Sequence, residues 1–129
     1  MVHISASIGK DHYKTTLSNG RGHANLADEP QDLGGSDQAF APDEFLASAL
    51  AACGIITMRM YADRKEWPLE KIEVDVEFER EGAVSKFTKR VRFTGNLDEE
   101  QQQRLLSVGD KCPVHKTLSN PIEISSVLI

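Results

Sequence analysis

The stretch "APDEFLASALAACGIITMRMYADRK", residues 41–65, decides how this chain folds. Pro42 suits the first helical position, where a missing N–H is no loss. Asp43 and Glu44 follow in the first turn, where carboxylates meet the positive end of the helix dipole. Leu46, Ala49, Leu50, Cys53, Ile56 and Met60 then recur at helical intervals, with Thr57 the one polar member of the stripe. The other side carries Ala47, Ala51, Ala52 and Ile55. The spacing predicts one helix over 42–65, stopped by Pro68. A helix apolar on nearly every side needs cover on nearly every side. A chain of 129 residues encloses such a helix poorly alone, so a second subunit is expected over part of it.

On the N-terminal side the signals are strand-like. "HISASIG" places Ile4, Ala6 and Ile8 on one face. "YKTTLSNG" ends in Asn19-Gly20, a hairpin-turn pair, and "RGHANLADEP" is a third short strand before Pro30. Residues 29–41 lack apolar periodicity and hold Pro30, Gly34, Gly35, Ser36 and Asp37, so they read as a long loop.

On the C-terminal side "LEKIEVDVEFERE" alternates apolar and acidic residues, and "KFTKRVRFTGN" turns Phe87, Val91 and Phe93 the same way. Basic residues on the second strand are expected to pair with acidic ones on the first. Lys89 breaks the pattern by sharing the apolar phase. "LDEEQQQRLLSVGDK" starts a second helix with Asp98 and Gln101 at capping-box spacing, and Gly109 near its end. Pro113 suits a fresh helical turn just after Cys112, and "PIEISSVLI" reads as a terminal strand with a bulge between Ile124 and Val127. The order is strands, long helix, strands, helices, strand: a single α+β domain over residues 1–129.

Composition narrows the function. Fifteen basic against twenty acidic residues leave a net charge of −5, which argues against binding nucleic-acid phosphates. Lys86, Lys89, Arg90 and Arg92 crowd one strand and read as a solvated face. The N-terminus lacks the basic and apolar regions of a secretory signal, and no run reaches about 18 apolar residues, so the expectation is a cytoplasmic protein without a membrane anchor. Two cysteines in a reducing compartment are buried thiols, metal ligands or redox groups sooner than a permanent staple.

Cys53, within the apolar helix, reads by itself as a small core residue. Cys112 sits beside Asp110, Lys111, His115 and Lys116 at a helix start, where a thiol is expected to be acidified; a reactive and a structural role are equally open. Cys112 and His115 have ligand-like spacing, but His3, His12 and His23 form no second pair for a zinc site. Asp43 and Glu44 read first as helix-start residues. Asp43 precedes Cys53 by ten residues, about 15 Å along the axis, too far to touch the thiol but placed to hold an arginine.

"APDEFLASALAAC" together with "DKCPVHKTL" resembles the OsmC/Ohr family of osmotically inducible and organic hydroperoxide resistance proteins. The matching positions are Pro42, Asp43, Ala51, Ala52, Cys53, Cys112, Pro113 and Val114. The resemblance implies antiparallel strands around a long, central, cysteine-bearing helix in an intertwined homodimer. It implies thiol peroxidase chemistry on organic hydroperoxides or hydrogen peroxide, with Cys53 attacking the peroxide, Cys112 resolving the sulfenic acid, and an external dithiol resetting the disulfide. No metal or cofactor is implied. Phe40, Phe45 and Met60 are expected to line an apolar substrate pocket. Family peroxidases hold the thiolate with an N-terminal arginine braced by a glutamate. Here the acid position is Asp43, with Glu44 beside it. The first turn offers Lys10, His12 and Lys14, Arg21 lies on the next hairpin, and His115 neighbours Cys112. The alternative reading is a dimer of the same fold that binds a small apolar ligand or senses oxidants.

Overall fold

Short β-strands form where β-branched residues alternate with small polar ones, and the first three lie close in sequence. A computed structural model describes all residues, Met1 to Ile129. The chain divides into two units, Met1–Leu46 and Ala47–Ile129. In the first, β1 (Ser5–Ile8), β2 (Thr15–Ser18) and β3 (Ala24–Ala27) form an antiparallel meander. The β2–β3 turn forms at Asn19-Gly20 as the sequence predicts, closed by Asn19 N–H to the His23 carbonyl at 3.3 Å.

The loop after β3 is organised by Asp28, which is 1% exposed. Its carboxylate accepts the N–H groups of Tyr13, Glu29, Ser36 and Gln38. Burial alone would push this carboxyl up, but the four donors together hold it below its ordinary value. Such a carboxylate adds stability above its unfolded-state titration near pH ~4, and that contribution is lost as pH falls through the lower folded-state value. Amide protection at Tyr13, Ser36 and Gln38 should therefore be high at neutral pH and collapse in acid. In Asp28→Asn, hydrogen exchange should find it low at both; full protection in the variant at neutral pH contradicts this.

α1 (Pro42–Arg64) follows, with Glu44 reaching back to the Ala41 N–H at 2.9 Å. Within the second unit it buries Leu50, Gly54, Met58 and Ala62, one residue every turn. They meet a hairpin of β4 (Leu69–Glu81) and β5 (Val84–Gly95), then α2 (Glu99–Gly109) and α3 (Pro113–Leu118). Met58, Ala62, Leu69, Leu97 and Leu105 form the core, with Ile72, Val74, Val91 and Phe93 packed against it from the hairpin. α2 begins with the expected capping box between Asp98 and Gln101. Gly109 lets the end of α2 approach α1 closely: a Cβ there would lie 3.0 Å from the Met58 Sδ. That approach sets where the segment carrying Cys112 leaves α2.

The outer face of the hairpin is the charged one. Register places Glu73 opposite Arg92, Asp75 opposite Arg90 and Glu79 opposite Lys86. Arg90 also pairs diagonally with Glu77 at 2.6 Å, and Lys86 binds Glu81. The expected cross-strand pairing is thus present, and it is a local neutralisation of charge.

Two expectations need correction. Residues 121–129 form no strand: Ile122, Ile124, Val127, Leu128 and Ile129 are exposed, and no strand of the chain lies alongside. Strand-forming side chains are not sufficient when no sheet edge accepts their backbone groups. By length and composition α1 is also apolar enough to cross a membrane, contrary to the sequence reading. The core helix of a globular fold passes the same test, and α1 has that packing along one face. Its other face is uncovered in the single chain, with Leu46 at 37%, Ile56 at 51% and Met60 at 61% exposure.

Candidate thiol site

α1 turns Cys53 toward the flank of its buried stripe, one position before Gly54. Cys112 arrives from the other direction. α2 ends at Gly109, Asp110 caps it, and α3 starts after Cys112 with Pro113 at its first position. Cys112 is the N-cap of α3, and its Sγ accepts the His115 N–H at 3.4 Å. The two cysteines, 59 residues apart in sequence, are neighbours in the fold as free thiols, close enough for each to bear on the other's protonation.

Their surroundings differ. Cys112 is fully buried, whereas Cys53 is half-buried. Burial is the main effect on Cys112 and pushes its thiol up; the neighbouring Cys53 adds to the rise, while the His115 N–H and Lys89 oppose it. The acidified thiol expected from a helix start is therefore overturned. A single turn of helix and one lysine do not offset complete desolvation.

Lys89 is the residue that sequence reasoning left without a place. Its ammonium donates to Asp110 Oδ1 at 2.7 Å and lies 3.2 Å from His115 Nδ1. An ammonium can only donate, so in this contact Nδ1 is the accepting atom. Its break in the apolar phase of β5 was the available signal. Asp110 gave none, because an acid after a helix end is common.

Of the other expected site residues, Asp43 and Glu44 stand in the first turn of α1, and Glu44 uses its carboxylate on the helix start. Arg21 lies exposed in the β2–β3 turn. Phe40 and Phe45 pack with ring centroids 5.7 Å apart in the first unit. Met60 belongs to the second unit, where it borders a groove with Thr57, Asp63 and Arg64. It lies seven residues beyond Cys53, nearly two turns along the same helical face. Arg59 spends its guanidinium on Asp63 at 3.1 Å and the Leu69 carbonyl at 2.8 Å. No three His, Cys, Asp or Glu side chains are grouped as metal ligands.

The thiol pair falls within residues 35–127, which match the family model described as OsmC-like protein. The chain belongs to the OsmC-like family. Solved structures of OsmC-like proteins share its α+β fold. The OsmC-like protein from Mycoplasma pneumoniae superposes with a TM-score of 0.79 at 20% identity, over 92% of this chain and 87% of that one. An organic hydroperoxide resistance protein OsmC from Legionella pneumophila gives 0.67 at 20%, over 92% and 88%. An organic hydroperoxide resistance protein from Elizabethkingia anophelis gives 0.67 at 17%, over 90% and 86%. No curated protein matches this OsmC-like chain.

Proposed function

We propose that this chain is a thiol-dependent peroxidase that reduces organic hydroperoxides or hydrogen peroxide in a reducing compartment such as the cytoplasm. The carrying observation is that Cys53 and Cys112 are neighbouring free thiols, one half-buried and one fully buried. Membership of a family whose solved members include organic hydroperoxide resistance proteins supports the choice of substrate.

The roles follow from access. Cys53, the more exposed sulfur, attacks the distal oxygen of ROOH as its thiolate. The O–O bond breaks, the alcohol leaves with a proton, and Cys53 becomes a sulfenic acid. Cys112 then displaces water from that sulfur to form the disulfide. An external dithiol can approach only Cys53, because Cys112 is 0% exposed. Reduction therefore proceeds through a mixed disulfide on Cys53, with Cys112 as leaving group.

The working unit we propose is a homodimer, with α1 of each subunit covering the other. Ile56 and Met60 stand exposed on α1, and each apolar side chain of this size gains roughly 1.5–3 kcal/mol on full burial. The exposed apolar segment from Ile122 to Ile129 also lacks a partner within the chain.

A second reading is a thiol sensor of the same fold with little turnover. It is favoured by the occupation of Arg59, the arginine on the cysteine helix, by Asp63 and the Leu69 carbonyl. Stopped-flow oxidation of the reduced protein separates the two. The peroxidase should consume cumene hydroperoxide faster than hydrogen peroxide, and both far faster than free cysteine at the same pH. Rates equal to those of free cysteine contradict it.

A further inference from the structure

We propose that Lys89 is the positioning cation of the thiol pair: its ammonium, anchored between Asp110 and His115, stabilises Cys112 as thiolate whenever that sulfur attacks Cys53 or leaves it. The inference rests on the peroxidase reading above for its place in a reaction, but its electrostatic content stands separately.

Lys89 sits where strand chemistry disfavours a charge. It lies in phase with Phe87, Val91 and Phe93, opposite Val76, and its side chain is only 16% exposed. Arg90 and Arg92, its neighbours in sequence, turn outward to Glu77 and Glu73. A lysine turned inward gives up hydration, and a single half-exposed carboxylate returns only part of it. What the inward position adds is access to both ends of the Cys112 segment. Asp110 lies two residues before the sulfur, and His115 lies three after it and donates its N–H to it. Lys89 also borders the crevice between Leu50, Gly54 and Gly109 and a cleft of about 230 Å³ beside His115 and Ser119. The charged and titratable groups around Cys112 are thus Lys89 from β5, Asp110 after α2, His115 on α3, Cys53 on α1, and exposed Lys111 and Lys116 beside it in sequence.

Cys112 needs such help because it is fully buried and must bear a negative charge twice per cycle. In the first step it loses its proton and attacks the Cys53 sulfenic acid. The S–O bond breaks, the S–S bond forms, and the departing hydroxide takes up a proton to leave as water. In the second step a thiolate of the external dithiol attacks Cys53, the S–S bond breaks, and Cys112 departs with the electron pair. The dithiol's second sulfur then displaces Cys53, so the dithiol is oxidised as the protein disulfide is reduced.

The test titrates Cys112 by ultraviolet thiolate absorbance in Cys53→Ser, alone and with each further change. Lys89→Met should move the Cys112 titration upward, and Lys89→Arg should restore it. Asp110→Asn, at an exposed position that leaves the core intact, should move it downward by freeing the ammonium from its carboxylate. With both cysteines present, disulfide closure driven by diamide at pH 7 should slow about tenfold in Lys89→Met and recover in Lys89→Arg. An unmoved titration in Lys89→Met, an upward shift in Asp110→Asn, or Lys89→Arg behaving like Lys89→Met overturns the assignment. Because diamide needs no peroxidase activity, a protein inert to hydroperoxides would sink the peroxidase reading without deciding this one.

Discussion

Cys112→Ser should complete one turnover and stop, whereas Cys53→Ser should not begin. In the first variant Cys53 still reduces one equivalent of hydroperoxide and remains a sulfenic acid, which dimedone traps as a single adduct on Cys53. In wild type the adduct should be scarce, since Cys112 neighbours Cys53 and closes the disulfide first. In Cys53→Ser, hydroperoxide consumption should fall to background, because the remaining sulfur is fully buried and held in its thiol form by that burial. Mass spectrometry of trapped and untrapped protein reads all three outcomes. A dimedone adduct on Cys112 would reverse the assignment of roles, and equal peroxide consumption by both variants would remove the distinction between them.

Iodoacetamide should label the native, reduced protein almost wholly at Cys53. Two effects act against Cys112 in the same direction. It is 0% exposed, so reaction waits for local opening of the α2–α3 corner. Alkylation also requires the thiolate, and burial favours the neutral thiol. An opening cost of only about 3 kcal/mol already slows labelling by roughly a hundredfold. Peptide mapping after brief labelling at neutral pH should thus find the Cys53 peptide modified and the Cys112 peptide free, with the difference erased in urea. Comparable labelling of both under native conditions contradicts the buried position of Cys112 and, with it, the inference that external dithiols attack Cys53.

Much of this geometry was legible in the chain, and the exceptions have physical causes. α1 declared itself through Pro42, the acidic first turn and the spacing of Leu50, Cys53 and Met60, because a long apolar run leaves few alternatives to a helix. The hairpin was equally plain, since alternation of Val74 and Val76 with Asp75 and Glu77 fits only a strand with one wet face. The capping box of Asp98 and the helix start at Pro113 are local devices that act within four residues and need no tertiary context. Residues 121–129 carried a strand pattern without a strand, because pairing is a property of two segments and only one was in view.

The site was less legible for the same reason. Asp28 sits before an acidic pair member and a proline, and nothing local says that four backbone N–H groups from three places will converge on it. The protonation preference of Cys112 depends on how completely the surrounding elements exclude water, which its neighbours in sequence do not reveal. Lys89 showed only as an irregularity. Its meaning came from Asp110 and His115, 21 and 26 residues away. The thiol pair itself was reached through resemblance to the family, since periodicity alone made Cys53 a core residue.

The most direct test of the Cys53–Cys112 pair is intact and peptide-level mass spectrometry after reduced protein meets one equivalent of cumene hydroperoxide. The account predicts loss of two hydrogens per chain and a single cross-linked pair of peptides carrying Cys53 and Cys112 of the same chain, reversed by a dithiol. Free thiols at both positions after the peroxide is spent, or a cross-link between Cys53 of two chains in place of that pair, would contradict it.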